Sequence, residues 1–164
     1  MVLKPLYTGF LLAAAFLFTN TAFAIDNNKG FFGVNVGTAE DIEFAEEDTG
    51  YKLTIGKKVS DNISYELSYV YLGEYFGLFT EDGVAANVVF SLPVSDTFSV
   101  FGKAGLLAWT IEAFGAEETG TDMSYGVGIE TEITYDVSFV LEAEFFEVFE
   151  GDVDLVTAGL KFAF

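Results

Sequence analysis

Glutamate and lysine are the residues of this chain whose types and spacing could do chemistry. Glu142 and Glu144 stand two positions apart, so in an extended strand both carboxylates project from one face. Such a pair could in principle pass protons as general acid and base. The 164-residue chain has no His and no Cys, however, which removes the usual general base, the thiol nucleophile and thiolate metal ligands. We therefore expect these carboxylates to pair with lysine, and we predict no enzymatic activity, no cofactor and no metal centre.

The same alternation collects further charged residues on the face that Glu142 and Glu144 share. The set is Lys52, Lys58, Glu66, Lys103, Glu130, Glu132, Glu142, Glu144 and Lys161. Its four lysines nearly balance its five glutamates, whereas the whole chain has 7 basic residues against 26 acidic ones. Because a desolvated ion needs a partner, this balance predicts an ionic network inside the fold. The net charge of −19 argues against nucleic acid as a partner.

Strands must position these residues, because apolar and polar side chains alternate with a period of two from residue 30 onward. In the last segment Leu160 and Phe162 fall on one face and Lys161 on the other. Eight such segments occur, at about 30–38, 49–59, 63–73, 83–93, 98–109, 122–133, 137–148 and 153–164. Their length is about that of a tilted strand crossing a bilayer. The sequence therefore predicts an all-β fold, an eight-stranded antiparallel up-and-down transmembrane β-barrel.

The apolar face of each strand is expected to contact lipid, and the charged face to line the lumen. Glycine is frequent on the charged face; it would weaken a solvated strand but makes room for long side chains in a narrow lumen. These glycines are Gly33, Gly37, Gly56, Gly105, Gly126, Gly128 and Gly159. An eight-stranded barrel has an interior just wide enough for its own side chains, so we predict a packed lumen.

The connections are expected to differ between the two ends of the barrel. Short turns at 60–62, 94–97 and 134–136 alternate with longer links at 39–48, 74–82 and 110–121, and a shorter one at 149–152. Outer-membrane barrels place short turns in the periplasm and longer loops outside the cell. The links hold most remaining acids and would lie among lipopolysaccharide head groups. They form either a solvated, repulsive surface or, alternatively, a place where carboxylates hold Ca²⁺ or Mg²⁺ or bridge them to lipid phosphates.

Aromatic residues near the predicted strand ends are expected to form girdles at the two membrane interfaces, where amphipathic rings are favoured. They are Tyr51, Tyr71, Tyr75, Phe76, Trp109, Tyr125, Tyr135, Phe162 and Phe164.

The first 24 residues have the pattern of a secretory signal peptide. Lys4 precedes an apolar run at 10–18, which is too short to span a bilayer, and Ala22-Phe23-Ala24 supplies the small residues of a cleavage site. Cleavage after Ala24 would leave residues 25–164 as the barrel domain. We therefore expect export to the bacterial outer membrane.

Five segments, in this order and spacing, resemble the OmpA/OmpX-type outer-membrane β-barrel family. They are GFFGVNVG at 30–37, GYKLTIG at 50–56, SYELSYVYLGE at 64–74, YGVGIE at 125–130 and DVDLVTAGLKFAF at 152–164. The resemblance implies a lumen blocked by ionic pairs and a role in envelope integrity, adhesion or surface interaction. It also implies that Leu160, Phe162 and Phe164 form the C-terminal signature read by the barrel-assembly machinery. The family usually places Arg inside, where this chain has only Lys, and we expect the peptidoglycan-binding domain of longer members to be missing.

The leading functional hypothesis is a monomeric barrel with a packed, charge-paired lumen and a structural or surface-interaction role in the cell envelope. Its expected partners are outer-membrane lipid, lipopolysaccharide and the barrel-assembly machinery. One alternative is a narrow ion-conducting path lined by the inward lysines and glutamates. Another is a soluble periplasmic ligand-binding barrel of lipocalin type, which would need the apolar face to line the lumen.

Overall fold

The computed structural model describes residues 29–41, 46–75, 79–113, 116–148 and 151–164. The predicted signal peptide, residues 1–24, and Phe76 lie outside these ranges. Eight strands follow one another: β1 Gly30–Asp41, β2 Glu46–Lys58, β3 Ile63–Tyr75, β4 Phe79–Pro93, β5 Phe98–Ala113, β6 Ala116–Thr134, β7 Val137–Val148 and β8 Gly151–Ala163. Neighbours in sequence pair antiparallel, and β1 pairs with β8, which closes the barrel. The predicted fold is confirmed. In the described ranges no helix is long and apolar enough to cross a membrane.

The two ends of the barrel are built differently. The turn end carries the connections 59–62, 94–97 and 135–136 together with the start of β1 and the end of β8. At the opposite end, here called the hairpin end, the strands continue beyond their predicted limits. For example, β5 ends at Ala113 and β6 begins at Ala116, so these two strands occupy most of the predicted link 110–121. The expectation of long links is therefore wrong. The outward residues of these extensions are polar, such as Glu112 on β5 and Thr119 on β6, so an apolar outer face no longer marks them as strands.

Exposure alternates along the strands and separates an apolar exterior from the interior. On β7 the side chain of Leu141 is outside and 41% exposed, whereas that of Glu142, the next residue, is inside and 5% exposed. Large apolar residues outside include Phe32, Val34, Leu53, Val88, Phe90, Leu106, Val127, Phe139, Val156, Leu160 and Phe162. The soluble lipocalin-like alternative, which needed this face to be the lining, is wrong.

The interior contains an apolar layer towards the hairpin end, which the sequence analysis did not predict. It consists of Ala39, Val70, Leu72, Ala85, Leu107, Trp109, Phe146, Val153 and Leu155, all buried, with Ile111 packed against them. Trp109 was predicted in an interface girdle, and that prediction is wrong: its ring lies inside, and Nε1 donates to Asp122 Oδ2 at 2.6 Å. Trp109 has the inward phase of Lys103, and β5 does not end there.

Tyrosine rings do lie outside near the hairpin end, as predicted for a girdle. Tyr51 on β2 and Tyr71 on β3 are directly opposite each other, and their rings stack with centroids 4.7 Å apart. Beyond Tyr71 a bulge shifts the β3–β4 register, and Gly73 takes a φ of 121°. Asp48 on β2 accepts the backbone N–H of Glu74 at 2.6 Å, which fixes this bulge.

Candidate functional site

Five charged side chains from four strands meet inside the barrel, between the turn end and the apolar layer. We call this group the charged layer: Lys52 on β2, Glu66 on β3, Lys103 on β5, and Glu142 and Glu144 on β7. Each comes from the inward phase of its strand, and barrel closure brings them together across the lumen. Lys52 and Glu144 are at most 1% exposed. The layer is therefore shielded from bulk solvent.

The two lysines of the charged layer each contact both carboxylates of β7. Lys103 Nζ lies 2.6 Å from Glu142 Oε2 and 2.6 Å from Glu144 Oε1. Lys52 Nζ lies 2.6 Å from Glu144 Oε2 and is also paired with Glu142 Oε1. Glu66 is less closely engaged, with its Oε2 at 3.9 Å from Lys103 Nζ. Interior ions are tolerated only with close partners of this kind.

Neutral groups complete the shell around Glu142. Asn35 Nδ2 on β1 donates to Glu142 Oε1 at 3.0 Å, and Thr157 Oγ1 on β8 donates to the same oxygen at 3.4 Å. Gly126 provides space here: a Cβ at this position would lie 2.8 Å from the backbone oxygen of Ala143, 3.0 Å from Glu144 Cγ and 3.1 Å from Lys103 Cε. This inward glycine thus makes room for two long charged side chains, as the frequency of glycine on this face predicts.

A separate ion pair lies nearer the turn end. Lys161 Nζ on β8 is paired with Glu130 Oε2 on β6, and the ammonium lies 4.8 Å from the centroid of the Phe31 ring. The side chains of Lys161 and Glu130 are 19% and 16% exposed, more than those of the charged layer.

Two residues of the predicted network lie outside it. Lys58 is the last residue of β2 and Glu132 lies beside the β6–β7 bulge, and both are exposed at the turn end. Both have the inward phase, but the lumen has already opened to solvent at this height. Their assignment to an interior network is therefore wrong.

The arrangement constrains what the carboxylates can do chemically. Glu142 and Glu144, the pair considered for acid–base work, are both held by Lys52 and Lys103 in a buried setting. No group of three or more acidic side chains placed to hold a metal ion occurs within the described residues. The geometry is that of a cross-lumen clamp that ties β2 and β5 to β7.

Comparison with known proteins identifies the family. The model of the outer membrane protein beta-barrel domain matches residues 10–164, nearly the whole chain. The chain belongs to this outer-membrane β-barrel family. Membership implies a place in the bacterial outer membrane, and the resemblance to OmpA/OmpX-type barrels is confirmed. Among curated protein sequences, none matches this chain significantly.

Solved structures of eight-stranded outer-membrane barrels share the fold at low sequence identity. The N-terminal β-barrel domain of Pseudomonas aeruginosa OprF aligns with a TM-score of 0.65 and 15% identity over 84% of this chain and 98% of that one. Neisserial surface protein A gives 0.66 and 12% over 85% and 98%. Ail, the attachment invasion locus protein of Yersinia pestis, crystallised with the heparin analogue sucrose octasulfate, gives 0.58 and 16% over 84% and 99%.

The residues of the expected C-terminal signature lie on the outer surface of this family member. Leu160 and Phe162 point outward on β8, Phe164 follows the end of this strand, and all three are exposed. The Phe162 ring stacks on Phe32 of β1 with centroids 6.2 Å apart. They thus lie along the seam where the last strand closes on the first.

The sequence did not lead us to expect Asn35 and Thr157 as partners of Glu142, or an apolar layer in the interior. A signal for them was present. Asn35 and Thr157 have the inward phase of β1 and β8, and Leu107 has that of Lys103. Inward phase places these residues inside, whereas their contacts depend on the height at which they meet across the lumen.

Proposed function

We propose that this outer-membrane barrel has a closed lumen and acts through structural and surface contacts in the cell envelope, not as an open pore or an enzyme. In this proposal the charged layer is the charge-paired lumen expected from the sequence. The turn end faces the periplasm and the hairpin end the outside, as in other outer-membrane barrels. The absence of His and Cys from the chain supports a role without catalysis.

One observation carries the closed lumen. Two consecutive layers fill the cross-section: Lys52, Lys103, Glu142 and Glu144 are at most 5% exposed, and above them the side chains of Leu107, Phe146 and Leu155 are at most 1% exposed. An ion crossing this region would have to displace paired charges and then enter an apolar layer, where an unpaired ion is very unfavourable. A narrow conducting path is therefore the weaker candidate.

Planar-bilayer recording of the refolded barrel tests the closed lumen. We expect no stable open level at moderate voltage. The matched variant is Leu107→Gly combined with Phe146→Gly, which removes two side chains of the apolar layer but leaves the charged layer intact. A stable porin-sized conductance in the unmodified protein would overturn the proposal, whereas conductance only in the variant would show which layer closes the barrel.

Export and assembly are part of the same proposal. We propose that residues 1–24 are removed, so that the mature chain begins at Ile25, and that Leu160, Phe162 and Phe164 are read by the barrel-assembly machinery. Mass spectrometry of protein from outer-membrane fractions checks the first point. A Phe164→Ser variant should accumulate unassembled, without the shift in gel migration that boiling causes in folded barrels. Normal assembly of that variant would count against the signature.

The hairpin end favours an additional interaction with divalent cations. Glu40 on β1 lies directly opposite both Glu47 on β2 and Asp154 on β8, and Glu147 on β7 lies opposite Asp152. Like charges in directly opposite positions destabilise a sheet. We propose that Ca²⁺ or Mg²⁺ relieves this repulsion by bridging these carboxylates to lipopolysaccharide phosphates.

The cation bridge predicts a dependence on both metal and lipid. In lipopolysaccharide-containing bilayers, Mg²⁺ should raise the unfolding midpoint relative to excess chelator, and Glu40→Gln should reduce that rise. Glu132→Gln, at the opposite end of the barrel, is the control. An equal rise in phosphatidylcholine bilayers, which lack the lipopolysaccharide phosphates, would contradict the bridge.

A further inference from the structure

The charged layer is not electrically neutral. It holds three carboxylates, Glu66, Glu142 and Glu144, against two ammonium groups, Lys52 and Lys103, which leaves one negative charge in excess. Both lysines are committed to Glu142 and Glu144 at close range, and Glu66 has Lys103 only at 3.9 Å. The excess charge therefore resides at Glu66. Because an uncompensated interior charge is costly, something else should neutralise it.

Solvent reaches Glu66 from the turn end. Side-chain exposure falls from 19% and 16% at Lys161 and Glu130, to 10% at Glu66, and to 0% at Lys103 and Glu144. A cavity lies along this gradient, and it has room for a particle of water size. Its polar lining consists of Asn35, Thr54, Glu66, Ser91, the Lys161–Glu130 pair, and Lys52 and Glu142 of the charged layer, and its apolar lining includes Phe31, Val89, Phe101 and Val140. It ends below the apolar layer. The lumen is thus a vestibule that is open at the turn end and blind at the other.

The cavity wall offers oxygen atoms to a cation. Besides the Glu66 carboxylate there are the hydroxyls of Thr54 and Ser91 and the amide oxygen of Asn35, whose nitrogen donates to Glu142. Asn87 lies directly opposite Glu66 across β3 and β4, is buried, and has no hydrogen-bond partner for its Nδ2 within the described residues. A water bound to a cation at Glu66 would give this amide an acceptor.

We propose that this vestibule binds one monovalent alkali cation, Na⁺ or K⁺, at Glu66, taken up from the turn end. Three carboxylates line the cavity, and two of them, Glu130 and Glu142, are paired with lysine. The lining therefore has one negative charge in excess, which one monovalent ion balances and a divalent ion would exceed. The bound ion compensates the charged layer and so stabilises the barrel. The inference rests on the closed lumen proposed above, because a blind vestibule holds an ion where an open pore would pass it.

Thermal unfolding in zwitterionic detergent tests the proposal at constant ionic strength, with NaCl or KCl replaced by N-methylglucamine chloride, whose cation is too large for the cavity. At tenfold excess over the dissociation constant the alkali ion should raise the midpoint by roughly 3–6 °C. Glu66→Gln should lose this difference. Glu132→Gln, which removes an exposed carboxylate at the same end, should keep it.

Each outcome decides. Loss of the alkali-specific rise in Glu66→Gln alone supports the site. No rise in the unmodified protein, or an equal loss in Glu132→Gln, overturns it. If Glu66→Gln is more stable than the parent in both salts, a proton and not a metal ion neutralises Glu66, and the site is likewise overturned. If Glu66→Gln does not fold, Val89→Leu, which fills the cavity without changing charge, should abolish the rise, and an unchanged rise overturns the site. A conducting barrel would refute the closed lumen separately.

Discussion

The two interior layers solve the same packing problem with opposite chemistry. The charged layer fills the cross-section with lysine and glutamate side chains, which form ion pairs with ammonium–carboxylate distances of 2.6 Å. The apolar layer fills the next cross-section with Leu72, Leu107, Phe146 and Leu155, which need shape complementarity but no partner atoms. Removal of one side chain should therefore have a different effect in each layer: it leaves an unpaired charge in the charged layer and a cavity in the apolar layer.

The largest effect is expected from breaking the charged layer. Lys103→Met leaves Glu142 and Glu144 with Lys52 alone and should cost about 3–5 kcal/mol of unfolding free energy, because buried charges lose a partner. Urea titration of the barrel in lipid vesicles measures it. Lys58→Met, an exposed lysine at the turn end, should change little.

A double substitution tests whether the ion pairs of the charged layer are coupled. Lys52→Met combined with Glu144→Gln removes one positive and one negative charge and should be less destabilising than the sum of the single variants. If the double variant lost as much as both singles together, the ion pairs would not be coupled, and the charged layer would not be a unit.

The apolar layer should respond by cavity formation. Leu107→Ala is expected to cost about 3 kcal/mol, measured by the same titration, and Leu106→Ala, on the outer surface of the same strand, considerably less. Because Leu107 and Lys103 belong to different layers, the double variant Lys103→Met with Leu107→Ala should be additive to within about 0.5 kcal/mol. Strong coupling would mean that the layers are not independent.

The exterior provides a third test of the same division. Leu141 lies on the apolar outer belt one residue before Glu142 of the charged layer, and Leu141→Arg should cost about 2–4 kcal/mol in lipid. Ile133→Arg, outside but near the turn end, should cost at most about 1 kcal/mol. Equal costs at the two positions would contradict placing Leu141 near the middle of the bilayer.

The smallest effect concerns the hairpin end. Burial, and then the neighbouring Asp152, raise the pKa of Asp154 above its usual range. The folded state therefore binds a proton at the Asp154 carboxyl more tightly than the unfolded state does. The ionised carboxylate destabilises the barrel fully above the folded pKa; this destabilisation diminishes as the pH falls through the folded pKa and is gone below the unfolded pKa. Asp154→Asn should therefore stabilise the barrel at neutral pH, by no more than about 0.5 kcal/mol, and should not do so in acid. A gain that is the same at both pH values would contradict this cause.

Much of the fold followed from local pattern. Alternation fixed eight strands and their faces because a side chain must point either to lipid or to the lumen, and a one-residue slip would reverse every strand. That pattern alone is enough to place Lys52, Lys103, Glu142 and Glu144 inside. It failed at the hairpin end, where the outward residues of β5 and β6, such as Glu112 and Thr119, are polar.

By itself the sequence determined which residues face inward, since the period of a strand is a local property. Tertiary structure decided the height at which each inward residue meets its neighbours, which depends on register and closure around the whole barrel. Because of their height in the barrel, Lys58 and Glu132 lie in solvent and Trp109 lies in the apolar layer. Glu66 lies at the end of the vestibule, where the charged layer has one more carboxylate than its two lysines can neutralise.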